Sequence, residues 1–137
     1  VCSIRYVTKE DFMLEIILFT SLWLLIQVTL PSTIALMSGA VNLSYLAGPR
    51  DKAIDNMPIS AERAKRAAAN LLESLPVFFT LALLSVMMNA QTVELAAIWL
   101  GLRIAYLFIY LSGITHLRTI VWIASAVCLI LMALELV

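Results

Sequence analysis

Charge is scarce in this chain, and so is cysteine. Only 13% of its 137 residues are charged, the formal net charge is zero and 63% of residues are hydrophobic, which is too apolar for a soluble domain of this length. Without a net positive charge, nucleic acid is not an expected partner. The two cysteines, Cys2 and Cys128, stand in no CxxC or Cys/His spacing, so neither a metal site nor a redox disulfide is expected. Cys128 reads as a small buried residue within a late apolar run. Strand-like alternation and internal repeats are absent as well. A cleaved signal peptide is not expected, because the apolar run from Phe12 is too long for one and follows the mixed charges of RYVTKED.

What is present is length in apolar runs. Four helical spans are expected, at about residues 12–41, 61–88, 93–112 and 117–137, within a single domain over 1–137. The fold class is therefore all-α, an integral membrane four-helix bundle. The first run exceeds the roughly 30 Å hydrocarbon core at ~1.5 Å per residue, so it must tilt, bend or project. Pro31 is the expected bend, with Ser32 or Thr33 able to compensate the lost backbone bond. Residues 42–60 read as a polar loop, with Ser60 a candidate helix cap. Glu94 falls in the first turn of the third span, where its charge suits the helix dipole.

Arg50, Lys52, Arg63, Lys65 and Arg66 gather around the first loop, the second loop has no Lys or Arg, and Arg118 follows the third. The positive-inside rule then puts loops one and three in the cytoplasm and both termini opposite. Arg5 and Lys9 oppose that orientation, but Glu10 and Asp11 sit beside them.

The spans carry polar stripes. In ERAKRAAANLLESLP, residues 62–76, a helical turn of ~100° per residue brings Arg63, Arg66, Asn70 and Glu73 into an arc of roughly 80°. In the third span Trp99, Arg103, Tyr106 and Tyr110 share a face, and in the fourth Arg118, Trp122 and Ser125 do. An ionisable group inside a span costs about 2.5–3.5 kcal/mol on insertion scales. Glu73 and Arg103 are therefore expected to face each other or a wet pocket, inside the bundle or under a neighbouring subunit. Each feature also has a plainer reading: a packing clamp for Glu73 and Arg103, snorkelling for Arg63 and Arg66, core packing for the aromatics, a solvated or lipid-facing Lys65, and a turn residue in His116. Their convergence at one membrane face favours a pocket for a small anionic ligand.

The stretch ERAKRAAANLLESLP resembles the signature of the MAPEG family, membrane-associated proteins in eicosanoid and glutathione metabolism. The family pattern E-R-x-x-R-A-x-x-N-x-x-E-x-x-P is met by Glu62, Arg63, Arg66, Ala67, Asn70, Glu73 and Pro76. The likeness continues through RIAYLFIYL and LRTIVW and covers residues 60–137 well, the first span loosely. The resemblance implies a homotrimer of four-helix subunits in the membrane lipid, with glutathione as cosubstrate between neighbouring subunits and a lipophilic small-molecule substrate. Arg66, Asn70 and Glu73 match the glutathione-contacting positions of the second helix, and Arg63 a further one. Tyr106 and Tyr110 match contacts of the third helix. Arg118 matches the arginine that stabilises the thiolate, across a one-residue difference in the preceding turn. The implied activity is a glutathione transferase or peroxidase acting on lipophilic electrophiles or lipid hydroperoxides. The alternative is a non-catalytic lipid-binding or structural subunit of a larger assembly. Two departures stand out. No arginine lies near the end of the first span, where catalytic relatives carry one. Ala68 and Ser74 replace larger polar or aromatic side chains found in some glutathione-binding relatives.

Overall fold

A computed structural model describes residues 9–137; Cys2 and Arg5 lie outside them. The regular elements among the described residues are all helices, in the order α1 Lys9–Met37, α2 Leu43–Ala47, α3 Ile59–Met88, α4 Val93–Ser112 and α5 Thr115–Leu134. All of these except the short α2 are long and apolar enough to cross a bilayer. α4 fills the expected 93–112 span, and Glu94 sits in its first turn. α1 and α3, at 29 and 30 residues, reach ~45 Å and must extend past the hydrocarbon, whereas the 20 residues of α4 and of α5 reach only ~30 Å.

Several boundaries differ from the sequence reading. α1 ends at Met37, not near 41, because Gly39 takes a positive φ of 76° and turns the backbone. The loop that follows is not irregular throughout: Asn42 accepts from the Tyr45 amide at 2.8 Å and starts α2. α3 begins at Ile59 behind Pro58, so Ser60 lies inside the helix and is not its cap. α5 begins at Thr115, which places His116 in its first turn. Pro31 does lie within α1, but Thr33 donates to the Thr29 carbonyl at 3.0 Å and not to the Gln27 carbonyl that a proline at 31 leaves free. At the end of α3, Asn89 adopts φ 55° and its amide bonds back to Ser85 and Val86, the left-handed cap that asparagine tolerates.

The helices pack chiefly as two pairs, α1 with α3 and α4 with α5, joined by α3 against α4. The main core holds Met13, Leu71, Phe78, Trp99 and Met132, with the Phe78 and Trp99 rings stacked at 4.0 Å between centroids. Cys128 belongs to this core, as its apolar surroundings in sequence suggest. Near the α3–α4 turn, Thr92 donates to the Ser85 hydroxyl at 2.6 Å, and Ser85 donates to the Leu81 carbonyl at 2.8 Å, so this buried pair is satisfied locally. Alanines at 61, 64, 67 and 68 form the buried side of α3, and their small size lets α3 approach its neighbours closely.

Candidate functional site

The polar stripe of α3 does not stay together. Its two edges turn to different partners, because α4 packs along one side of the helix only. Arg63 lies toward α4 and donates from Nη1 to the Leu111 carbonyl at 3.0 Å. That carbonyl belongs to the last turn of α4, which has no later amide in the helix to accept from, so the Arg63 guanidinium caps the C-terminus of α4. Gly113 ends the same helix at φ 80°, and a Cβ there would come within 2.8 Å of Arg63 Nη1. The turn between α4 and α5 is thus closed by a guanidinium that a side chain at 113 would have to displace, at a backbone φ that itself favours glycine.

Asn70 also turns toward α4. Its Oδ1 accepts from Arg103 Nη1 at 2.7 Å. Arg103 is 4% exposed and lies midway along α4, with its guanidinium 5.5 Å from the Trp99 ring centroid and 5.8 Å from that of Tyr106. The expected pairing of Glu73 with Arg103 is therefore corrected. Glu73 is near enough for its charge to be felt at Arg103 and Tyr106, but among the described residues it makes no ion pair, and its side chain is exposed on the protomer. The reason is angular: Glu73 sits about 60° around the helix from Asn70, past the edge of the α3–α4 contact. Among the described residues, Arg103 Nε, Trp99 Nε1, Trp23 Nε1 and Gln27 Oε1 are buried without a hydrogen-bond partner.

Arg66 is exposed and pairs with Glu62 at 3.2 Å, an i,i+4 contact of little energetic weight at this exposure. Across from it, Arg118 lies over the Tyr110 ring at 4.7 Å, and Tyr110 meets Tyr106 edge to face at 5.7 Å. Arg63, Arg66, Tyr110 and Arg118 together line one cavity of about 200 Å³ at the end of the bundle, beside Gly113 and Thr115. Three guanidinium groups and the N-terminus of α5 converge there, and no carboxylate among the described residues lines the cavity. It is an electropositive pocket with planar donor forks, suited to carboxylates.

Of the residues singled out in the sequence, Arg63, Arg66, Tyr110 and Arg118 meet at the cavity. Asn70 and Tyr106 lie at the Arg103 cluster deeper in the bundle, and Glu73, about one turn further along α3 than Asn70, faces outward. Gly113 and Arg103 are not among the expected ligand contacts, yet Gly113 lines the cavity and Arg103 holds Asn70. The glycine has a signal, standing just past the apolar run that forms α4.

Four bilayer-length apolar helices with polar groups turned into the bundle define an integral, multi-pass helical membrane protein. The sequence model of the MAPEG family matches residues 13–137, and the chain belongs to that family. Comparison with curated proteins and with solved structures gives no match.

Proposed function

We propose that the protein is a membrane-embedded glutathione transferase or peroxidase that presents a glutathione thiolate to lipophilic electrophiles or lipid hydroperoxides. The observation that carries this reading is the convergence of Arg63, Arg66 and Arg118 with Tyr110 around one cavity that no described carboxylate lines. Glutathione brings two carboxylates and one ammonium group. The arginines answer the carboxylates, and Glu73 answers the ammonium. Arg118, without an ion pair among the described residues, is the group to hold the sulfur as thiolate, because the thiol is a poor nucleophile until ionised. A guanidinium ~4 Å from the sulfur at an effective dielectric of about 20 contributes on the order of 4 kcal/mol before desolvation. Asn70, Tyr106 and Tyr110 position the peptide.

The cavity of one protomer, about 200 Å³, is below the roughly 300–1,000 Å³ of small-molecule sites. Glu73 and Arg66 are exposed on a helix long and apolar enough to cross the bilayer. Both facts support a neighbouring subunit that completes the pocket and covers Glu73, and the family resemblance makes that assembly a homotrimer. The charge pattern supports cytoplasmic loops one and three, with the termini opposite. Arg118→Ala is expected to keep the oligomer and lose glutathione-dependent conjugation; turnover equal to the parent's would refute the assignment of the activating group.

One observation favours a second reading, a non-catalytic lipid-binding or structural subunit. Arg63 and Asn70 are both committed to contacts within the fold, so part of the signature has a structural task. A thermal shift of the purified protein with glutathione and with S-hexylglutathione separates the two. Stabilisation by both supports the transferase, and a flat response to both supports the subunit.

A further inference from the structure

The segment between α1 and α3 reads as a polar loop, yet it folds down on the helix ends and carries a small core of its own. Val41 is buried against Ala35 of α1 and Ala61 of α3, with Tyr45, Ile54 and Met57 packed around them. Two side chains hold the loop in place. The Tyr45 hydroxyl donates to the Lys52 carbonyl at 2.6 Å, and Arg50 donates from Nε and Nη2 to the Leu46 carbonyl at 3.0 and 2.8 Å.

The packing beneath this loop leaves a gap. A cavity of about 380 Å³ lies between α1, the loop and α3, a size within the roughly 300–1,000 Å³ of small-molecule sites. Val28, Ala35, Val41, Ile54 and Met57 give it apolar walls. Its only charged lining groups among the described residues are Arg50 and Lys65, both cationic and both exposed. Asp51 and Asp55 line neighbouring clefts of the loop and not this one. Lys65 makes no ion pair among the described residues, and Arg50 keeps three N–H donors beyond the two that hold Leu46. Arg50 is also held at φ 57°, a left-handed backbone that persists only where surroundings impose it.

Depth and charge agree. Lys65 stands in the second turn of α3, ~9 Å along a helix that outruns the hydrocarbon, so it lies at headgroup level. Val28 lies deeper, on the bilayer side of Pro31, and is 48% exposed, so the cavity has an apolar way out into lipid. We propose that this cavity binds an amphiphile with one anionic head, held by Arg50 and Lys65, and one acyl tail that leaves past Val28 into the bilayer. It shares no residue with the cavity of Arg63, Arg66 and Arg118.

The test uses the full-length protein in dodecyl maltoside micelles, titrated with tritiated oleate. Saturable binding is expected, with methyl oleate, which lacks the charge, failing to compete. The double variant Arg50→Gln/Lys65→Gln is expected to bind on the order of tenfold more weakly, as two partly exposed charge contacts are lost. Ser32→Leu, which fills the cavity from α1, is expected to abolish binding while the thermal midpoint is kept. If that variant misfolds, the double variant at the exposed rim decides the matter. Displacement of oleate by lysophosphatidylglycerol at equal mole fraction identifies a membrane lipid as the source of the head, and no displacement identifies a free fatty acid. Competition by methyl oleate equal to that of oleate, or undiminished binding by the double variant, overturns the proposal.

Discussion

Replacing Asn70 by Leu isolates the guanidinium of Arg103 halfway through the bundle. Arg103 is 4% exposed, and the bond to Asn70 Oδ1 at 2.7 Å is its one hydrogen bond among the described residues. The rings of Trp99 and Tyr106 remain beside it but supply no acceptor in the guanidinium plane. A hydrogen bond to a charged group contributes about 1.5–3 kcal/mol, and a buried charged donor left without its acceptor loses the upper part of that range. Asn70→Leu is therefore expected to lower stability by about 3 kcal/mol. Arg103→Met removes the charge that makes the loss expensive, so Asn70→Leu/Arg103→Met should return to within about 1 kcal/mol of the parent. The assay is reversible unfolding by dodecyl sulfate in mixed micelles, followed by circular dichroism, as a double-mutant cycle. Ordinary interhelical hydrogen bonds in membranes average about 0.6 kcal/mol. A loss no larger than that for Asn70→Leu, with no recovery in the double variant, would refute the claim that the buried guanidinium depends on the Asn70 amide.

Gly113→Val should destabilise far more than Gly101→Val. Gly113 has a positive φ, and a Cβ added to it would meet Arg63 at 2.8 Å, whereas nothing lies within 4 Å of the same position at Gly101; thermal midpoints of the two variants check this. Arg63→Met should narrow that gap by clearing the guanidinium, while leaving the backbone cost of about 1 kcal/mol. Ser85→Ala leaves the buried Thr92 hydroxyl without its acceptor and should cost about 1–3 kcal/mol, whereas Ser85→Ala/Thr92→Val should cost less than the single change; the same unfolding assay measures both. Glu73→Gln should leave the helical content of the protein unchanged and weaken the response to glutathione in the thermal-shift experiment.

The long helices are legible in the sequence because their signal is cumulative. The run that forms α4 is bounded on both sides by turn residues, and its limits follow directly. α2 is hidden because five residues carry too little periodicity, although Asn42 ahead of Leu43 is a cap signal. The start of α3 falls ahead of its expected place because Pro58 can lead into the first turn without a capping side-chain bond, leaving Ser60 no such role. The stripe is legible as a stripe, since angular position on one helix follows from spacing alone. Which neighbour each edge meets does not follow from spacing. Asn70 and Glu73 are three residues apart, yet α4 covers one and passes by the other. Charge sign favours Glu73 as the partner of Arg103, but geometry gives the place to the amide. The Arg63 cap is illegible for a related reason, because its acceptor is a backbone carbonyl 48 positions away with no side-chain signature.

The joining of the two helix pairs through Asn70 and Arg103 bears on how the protein enters a membrane. During synthesis α1 and α3 are complete before α4 leaves the ribosome. In that interval the amide of Asn70 has no guanidinium to accept from, and the carboxylate of Glu73 lacks the nearby positive charge. When α4 arrives it carries an arginine at mid-depth that is costly to insert alone. Each half thus brings a polar group that the other half makes tolerable, so late integration of α4 should depend on the earlier pair already waiting in the bilayer.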